Sequence, residues 1–87
     1  MPKLFKLEIY TQDKTLFDAE VSSLCVPAED GYLGVLAHHA PLIASLTEGK
    51  ITYKDSRNIP TSIPSGKGFL EVKNNRAVVL LDTWSAA

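Results

Sequence analysis

Turn-forming residues recur about every ten positions along this chain, and the segments between them are short and rich in β-forming residues. Glycine, proline, asparagine and aspartate mark these positions because each favours a sharp change of backbone direction. No long window carries the apolar period of 3.6 residues that is typical of an amphipathic helix. The spacing therefore predicts an all-β fold, a small antiparallel β-sandwich of about ten short strands that forms a single domain over residues 1–87.

Alternation of apolar and polar side chains marks the first strands. Phe5, Leu7 and Ile9 alternate with polar residues, which is the period of two of a half-buried strand. A second alternating segment leads to Val21. At Ser22 the apolar positions then shift by one residue, so we expect the chain to bulge or to pass into another sheet there.

Four further features carry structural predictions. Pro60 and Pro64 lie in one β-prone arm and predict an edge strand, because proline donates no hydrogen bond to a ladder. The apolar run 77–81 predicts a strand that is buried on both faces. Gly34 indicates a bulge or a close approach of another backbone. Cys25 lies in an apolar run, which disfavours a thiolate and predicts a slowly reacting thiol.

Composition excludes several classes of function. The 87 residues have a net charge of −1 with lysines and arginines scattered along the chain, so no basic stripe predicts nucleic-acid binding. A single cysteine cannot form an intramolecular disulfide and fits a reducing compartment. The first residues contain no apolar segment like the core of a signal peptide. The longest apolar run, 77–81, is far too short to span a membrane. We therefore expect a protein that is neither secreted nor membrane-spanning.

The stretch 27–42 contains an acidic pair and two adjacent histidines. His38 and His39 would point to opposite faces of an extended segment, which disfavours one metal ion held by both, so we expect one of them hydrogen-bonded in a turn and the other solvated. Glu29 and Asp30 are consecutive turn residues and are poorly placed for acid and base roles across a substrate. They predict an exposed acidic tip, which could also dock on a basic partner.

No other motif predicts catalysis. Gly66, Lys67 and Gly68 lack the spacing of a phosphate-binding loop and indicate a turn. The sequence offers no set of nucleophile, base and orienting residue, so we expect no enzymatic activity and no cofactor or metal.

The run 31–42, Gly-Tyr-Leu-Gly-Val-Leu-Ala-His-His-Ala-Pro-Leu, resembles the G-x-L-G-[IV]-L-P-x-H-A-P-L signature of the epsilon subunit of F-type ATP synthases. The resemblance extends to residues 7–11 at the start and to 68–82 near the end. It departs at Ala37, where the family usually has proline, and at Lys67, where a glycine is usual. It implies the family's ten-stranded β-sandwich, in agreement with the fold expected from the pattern of strands and turns.

This resemblance implies a rotor subunit of the central stalk, which links the gamma subunit to the membrane c-ring and so couples proton translocation to ATP synthesis. Such a subunit is non-catalytic and peripheral, on the cytoplasmic face of a bacterial plasma membrane or the stromal face of a thylakoid, and associates with the membrane only through the complex. The implied c-ring contacts are Glu29, Asp30, Gly31 and Tyr32. The implied gamma-subunit contacts are Thr11, His39, Ala40, Pro41, Leu42 and Ala44.

Family members usually carry a second domain of two helices, which in many of them can inhibit ATP hydrolysis and in some binds ATP. The sequence ends at Ala87, before such a domain would begin, which fits either a truncated form or a naturally short member of the family. We therefore expect no C-terminal helical hairpin and no ATP binding by this chain. The alternative is a free-standing β-sandwich adaptor or ligand-binding module that shares only the architecture, because a fold alone does not fix a function.

Overall fold

The computed structural model describes residues 3–82, and within that range the chain forms nine strands and no helix. The all-β prediction is therefore confirmed, with nine strands in place of about ten. In chain order the strands are β1 (Phe5–Tyr10), β2 (Thr15–Val21), β3 (Ser23–Ala28), β4 (Gly31–Leu36), β5 (Leu42–Leu46), β6 (Gly49–Lys54), β7 (Pro60–Ser65), β8 (Gly68–Lys73) and β9 (Arg76–Leu81).

The strands form one curled sheet that closes into two layers. One layer has the order β2-β1-β9-β8-β5, and the other has β4-β3-β6-β7. The layers join where Ala28 of β3 pairs with Leu46 of β5. All paired strands are antiparallel except β1 and β9, which are parallel. The sheet is therefore mixed, whereas a purely antiparallel one was expected. Because the chain reverses at each turn, its first and ninth strands run in the same direction.

The predicted change of phase at Ser22 is the point where the chain passes between layers. β2 pairs with β1, whereas β3 pairs with strands of the other layer. Ser22 bridges the two, and its N–H donates to the carbonyl of Lys54 at 2.8 Å. The arm that contains Pro60 and Pro64 is β7, which ends the strand order, so the predicted edge strand is confirmed.

The core lies between the layers and is made of inward-facing apolar side chains from both. Its buried members are Phe5, Leu7, Ile9, Val21, Leu24, Val26, Val35, Leu46, Ile51, Leu70, Val72, Ala77, Val79 and Leu81.

One burial prediction was wrong. The run 77–81 is not buried on both faces, because β9 alternates and leaves Leu80 52% exposed on its outer face. Cys25 is partly buried on the outer face of β3, between the inward-facing Leu24 and Val26, and its slow reaction stays a prediction.

The prediction that Gly34 marks a bulge or a close backbone approach was also wrong. Gly34 pairs in regular register with Cys25, and a Cβ built on it would meet no atom within 4 Å, so it marks neither a bulge nor a close approach. The close approach lies at Gly68, where a Cβ would fall 2.0 Å from the carbonyl oxygen of Leu80. The register shift lies between β1 and β2, where Ile9 pairs with Phe17 and Tyr10 with Thr15, so Leu16 of β2 is the extra residue.

The turns fall alternately at the two ends of the sandwich, because successive strands run in opposite directions along it. We call one end the acidic end and define it by the turns 11–14, 29–30, 47–48 and 66–67 together with Asp82. We call the other the basic end and define it by residues 3–4 and 22 and the turns 37–41, 55–59 and 74–75.

Candidate functional site

The tight turn between β3 and β4 presents two adjacent carboxylates. Ala28 pairs with Gly31, so the loop consists of Glu29 and Asp30 alone, and both side chains are exposed. Gly31 has φ of +121°, a conformation that favours glycine and confirms the predicted turn. The N–H of Glu29 donates to the carbonyl of Ser45 at 3.2 Å, which ties the turn to β5. The acidic tip is therefore held in a defined position.

Tyr32 does not project from this tip. It pairs with Pro27 across the ladder, and its hydroxyl accepts a hydrogen bond from the Lys50 N–H at 3.3 Å. A Cβ built on Gly49 would lie 2.9 Å from that hydroxyl, so glycine leaves the space the phenol occupies. The ring crosses the outer face of β3 and remains 63% exposed. Of the four expected c-ring contacts, Glu29 and Asp30 thus form the tip, whereas Tyr32 covers the strand behind it.

The acidic tip belongs to an end of the sandwich with a strong excess of negative charge. The acidic end contains five carboxylates and two lysines: Asp13, Glu29, Asp30, Glu48 and Asp82, with Lys14 and Lys67. The basic end, counted with the strand residues directly beside its turns, contains five cations and one carboxylate: Lys3, Lys54, Arg57, Lys73 and Arg76, with Asp55. A net charge of −1 therefore conceals a polar distribution of charge along the molecule.

The loop between β4 and β5 is anchored at the basic end. The His39 N–H donates to the Leu36 carbonyl at 3.2 Å, and the turn between them has His38 at φ of +62°. The His38 N–H donates to Oδ1 of Asn75 at 2.7 Å. The Nδ1–H of His39 donates to the Ala40 carbonyl at 2.7 Å. As expected, one histidine side chain is hydrogen-bonded within the turn, and the other, that of His38, is exposed.

The six expected gamma contacts do not form one patch. The four consecutive residues His39, Ala40, Pro41 and Leu42 lie together between β4 and β5 at the basic end. Leu42 and Ala44 pair with buried residues of β8 and share its core-facing side, so neither is fully exposed. Thr11 follows β1 at the acidic end, away from the others.

Two exposed apolar residues beside this loop were missed by the sequence analysis. Leu36 ends β4 and is 65% exposed, and Ile43 on the outer face of β5 is 73% exposed. The period of two in β5 was the available signal, because it turns Ile43 outward whenever Leu42 and Ala44 face the core. Both residues flank the 37–41 loop along the chain, Leu36 at the end of β4 and Ile43 at the start of β5.

An ion pair between the buried Glu8 and the 58% exposed Arg76 lies on the outer face of the five-stranded layer. Glu8 is only 4% exposed, and its carboxylate accepts hydrogen bonds from the guanidinium of Arg76 and the hydroxyl of Tyr10. These bonds lower the pKa of Glu8 from 4.5 to about 2. Since Lys6 pairs with Arg76 and Glu8 with Val78 in the parallel ladder, the pair depends on a pairing that the alternation pattern could not predict.

Within residues 3–82, no three His, Cys, Asp or Glu side chains cluster in a way that could hold a metal ion. The described residues likewise contain no helix that could cross a membrane.

The fold and its topology define a small, mixed β-sandwich domain. Residues 4–87 match the family described as "ATP synthase, Delta/Epsilon chain, beta-sandwich domain", and the chain belongs to this family.

Relatives described as "ATP synthase epsilon chain" are similar over most of this chain. That of Desulforamulus reducens is 41% identical over 83 residues, 95% of this chain and 62% of the relative. That of Protochlamydia amoebophila is 43% identical over 81 residues, 91% of this chain and 54% of the relative. The chain therefore spans less than two thirds of their length. For the relative from Chlorobium limicola, 39% identical over 80 residues, the match covers 92% of this chain and 91% of the relative.

Two solved structures share the fold. A chain of the Euglena gracilis mitochondrial ATP synthase (OSCP/F1/c-ring) superposes with a TM-score of 0.88 at 18% identity, covering 98% of this chain and 54% of that one. A chain of the central stalk and c-ring of the Tetrahymena thermophila mitochondrial enzyme gives 0.75 at 12% identity, with 94% and 66% covered. At these identities the likeness establishes the fold alone, which confirms the β-sandwich.

Proposed function

We propose that this chain is the epsilon-type rotor subunit of an F-type ATP synthase, bound to the gamma subunit and seated on the c-ring. The observation that carries the proposal is the family match over residues 4–87, together with the identity of about two residues in five to ATP synthase epsilon chains. The subunit is non-catalytic and transmits rotation between ring and shaft. It is peripheral, on the cytoplasmic face of a bacterial plasma membrane or the stromal face of a thylakoid, and is held there through the complex.

The acidic end is the proposed seat on the c-ring. Glu29 and Asp30 project from a tight, hydrogen-bonded turn, so little conformational entropy is lost when they dock. The carboxylates of Asp13, Glu48 and Asp82 at the same end add to a negative potential, which favours docking on basic polar loops and orients the subunit as it docks. Tyr32 contributes by fixing the strand behind the tip.

The proposed gamma-binding surface is the 39–42 loop with the two exposed apolar residues that flank it in the chain, Leu36 and Ile43. Two side chains exposed by more than 60% border a loop whose backbone is already hydrogen-bonded, as a permanent contact requires. Ala44 occupies the neighbouring position of β5 and faces the core side, so its side chain lies outside this surface. Thr11 would meet gamma only through a second contact at the acidic end.

Disulfide cross-linking in the assembled enzyme tests the seat on the ring. In a Cys25→Ala background, a cysteine replaces Glu29 or Asp30 and a second one is placed in the polar loop of the c subunit. Oxidation should join the two and block coupled activity, which reduction should restore. A cysteine in place of Ser56, exposed at the basic end, is the matched control and should not cross-link. Equal cross-linking from both ends would refute the proposed orientation.

Binding of purified gamma tests the other surface. Leu36→Asp and Ile43→Asp should each weaken binding at least about tenfold, because each puts a charge where roughly 1.5–3 kcal/mol of apolar burial is expected. Leu80→Asp is the matched control, since Leu80 is 52% exposed but lies near the acidic end of β9, at the opposite end from the loop. An equal loss for Leu80→Asp would refute this surface, and no binding of gamma by the parent chain would favour the free-standing adaptor.

A further inference from the structure

Among the strands that pair on one side only within residues 3–82, β4 is the one whose edge carries no protection against pairing. Within residues 3–82, β2, β4 and β7 each pair on one side only. β7 is protected by two prolines, and β2 by two acidic side chains and the register shift opposite it. β4 (Gly31–Leu36) contains no proline, no charge and no shift in register. Such an edge is open to an added strand.

The backbone groups that face outward from this edge can be assigned. The Thr47 N–H donates to the Pro27 carbonyl at 2.8 Å, so the backbone of Pro27 faces away from β4. Its ladder partner Tyr32 therefore directs its own N–H and C=O to the open edge, and the period of two adds those of Gly34 and the N–H of Leu36. None of these groups has a backbone partner within residues 3–82, whereas the Leu36 carbonyl accepts from His39.

The side chains along this edge leave room for a neighbour. Tyr32 and Leu36 stand 63% and 65% exposed on the outer face, with Gly34 between them and no atom within 4 Å of where its Cβ would be. The space over Gly34 opens into a shallow trough that Cys25 and Thr52 also line. A side chain of an added strand could lie in that trough.

We propose that β4 pairs with an extended strand of the gamma subunit, which continues the four-stranded layer through backbone hydrogen bonds. This pairing rests on the proposed function and gives a structural form to the gamma contact, because β4 runs directly into the 39–42 loop. The charges at its ends define the partner. The carboxylates of Glu29 and Asp30 precede Gly31, and Lys3 and Lys54 lie beside Leu36. The gamma strand should carry a basic residue near the former and an acidic residue near the latter.

Hydrogen exchange resolved to single amides, on the full chain with and without gamma, tests the pairing. The amides of Tyr32, Gly34 and Leu36 should exchange rapidly in the free chain and slow at least about tenfold in the complex. Those of Leu33 and Val35 already face β3 and should be protected in both states. Only an added strand produces this alternation. Binding without protection of the three outward amides would overturn the pairing but leave the proposed function standing, whereas no binding would refute both.

A proline substitution gives a second test. Gly34→Pro removes one outward N–H and should weaken gamma binding about tenfold, because a backbone hydrogen bond and the fit of the strand are lost together. Gly34→Ala is the matched control, since it keeps the N–H and its Cβ meets open space, and its affinity should stay within about threefold of the parent. Unchanged binding by a folded Gly34→Pro chain would overturn the pairing. If that variant does not fold, the exchange pattern decides.

Discussion

Gly68→Ala should destabilise this domain more than an exposed strand substitution, because the new methyl group has no space. A Cβ at position 68 would lie 2.0 Å from the Leu80 carbonyl oxygen and 2.9 Å from the Leu81 Cα, both backbone atoms of β9. Gly68 pairs with Leu46 on one side and Leu81 on the other, so it cannot shift without moving two ladders. Overpacking of this kind costs about 1–3 kcal/mol and more where backbone must move.

The loss is large compared with the stability of a domain of this size. At 87 residues, a free energy of unfolding of about 4–13 kcal/mol is expected. Urea unfolding should therefore show a midpoint lower by roughly 1–2 M, with an unchanged m value. Gly34→Ala is the matched control, because its Cβ meets no atom within 4 Å, and its midpoint should be equal or slightly higher. A Gly68→Ala midpoint within error of the parent would refute the steric argument.

Two further substitutions test the pH dependence and a turn. Since Arg76 and Tyr10 lower the pKa of Glu8 from 4.5 to about 2, the stability that the ionised carboxylate contributes is complete above 4.5 and lost as the pH falls towards 2. Glu8→Gln should flatten this part of the acid unfolding curve; an unchanged curve would contradict it. Ala37→Pro should raise the unfolding free energy by about 0.4–1 kcal/mol in urea, because Ala37 is the second residue of the turn closed by Leu36 and His39, where proline fits. A loss of stability would contradict this.

The local sequence pattern predicted the strands but not which strands pair with each other. The alternation in β1, the phase change at Ser22 and the prolines of β7 each depend on a few neighbouring residues, and each prediction was confirmed. The parallel pairing of β1 with β9 joins segments about seventy residues apart, and nothing in either segment specifies its neighbour. The same limit explains why the close approach was predicted at Gly34 but is found at Gly68. A glycine is needed where a second strand approaches, and only the assembled sheet determines that place.

The segregation of charge to the two ends was also missed, although the sequence contains the signal. Read in order, lysines, arginines and carboxylates are scattered, and the sum of −1 suggests no polarity. In a meander, however, alternate turns fall at opposite ends, so their charges must be added in two separate sets. The first, third, fifth and seventh turns together contain four carboxylates and two lysines, Asp13, Glu29, Asp30 and Glu48 with Lys14 and Lys67, whereas the turns between them are neutral or flanked by cations. Because the first set includes the proposed ring-facing tip, the alternation of turns gives the sandwich an electrostatic direction that no single motif carries.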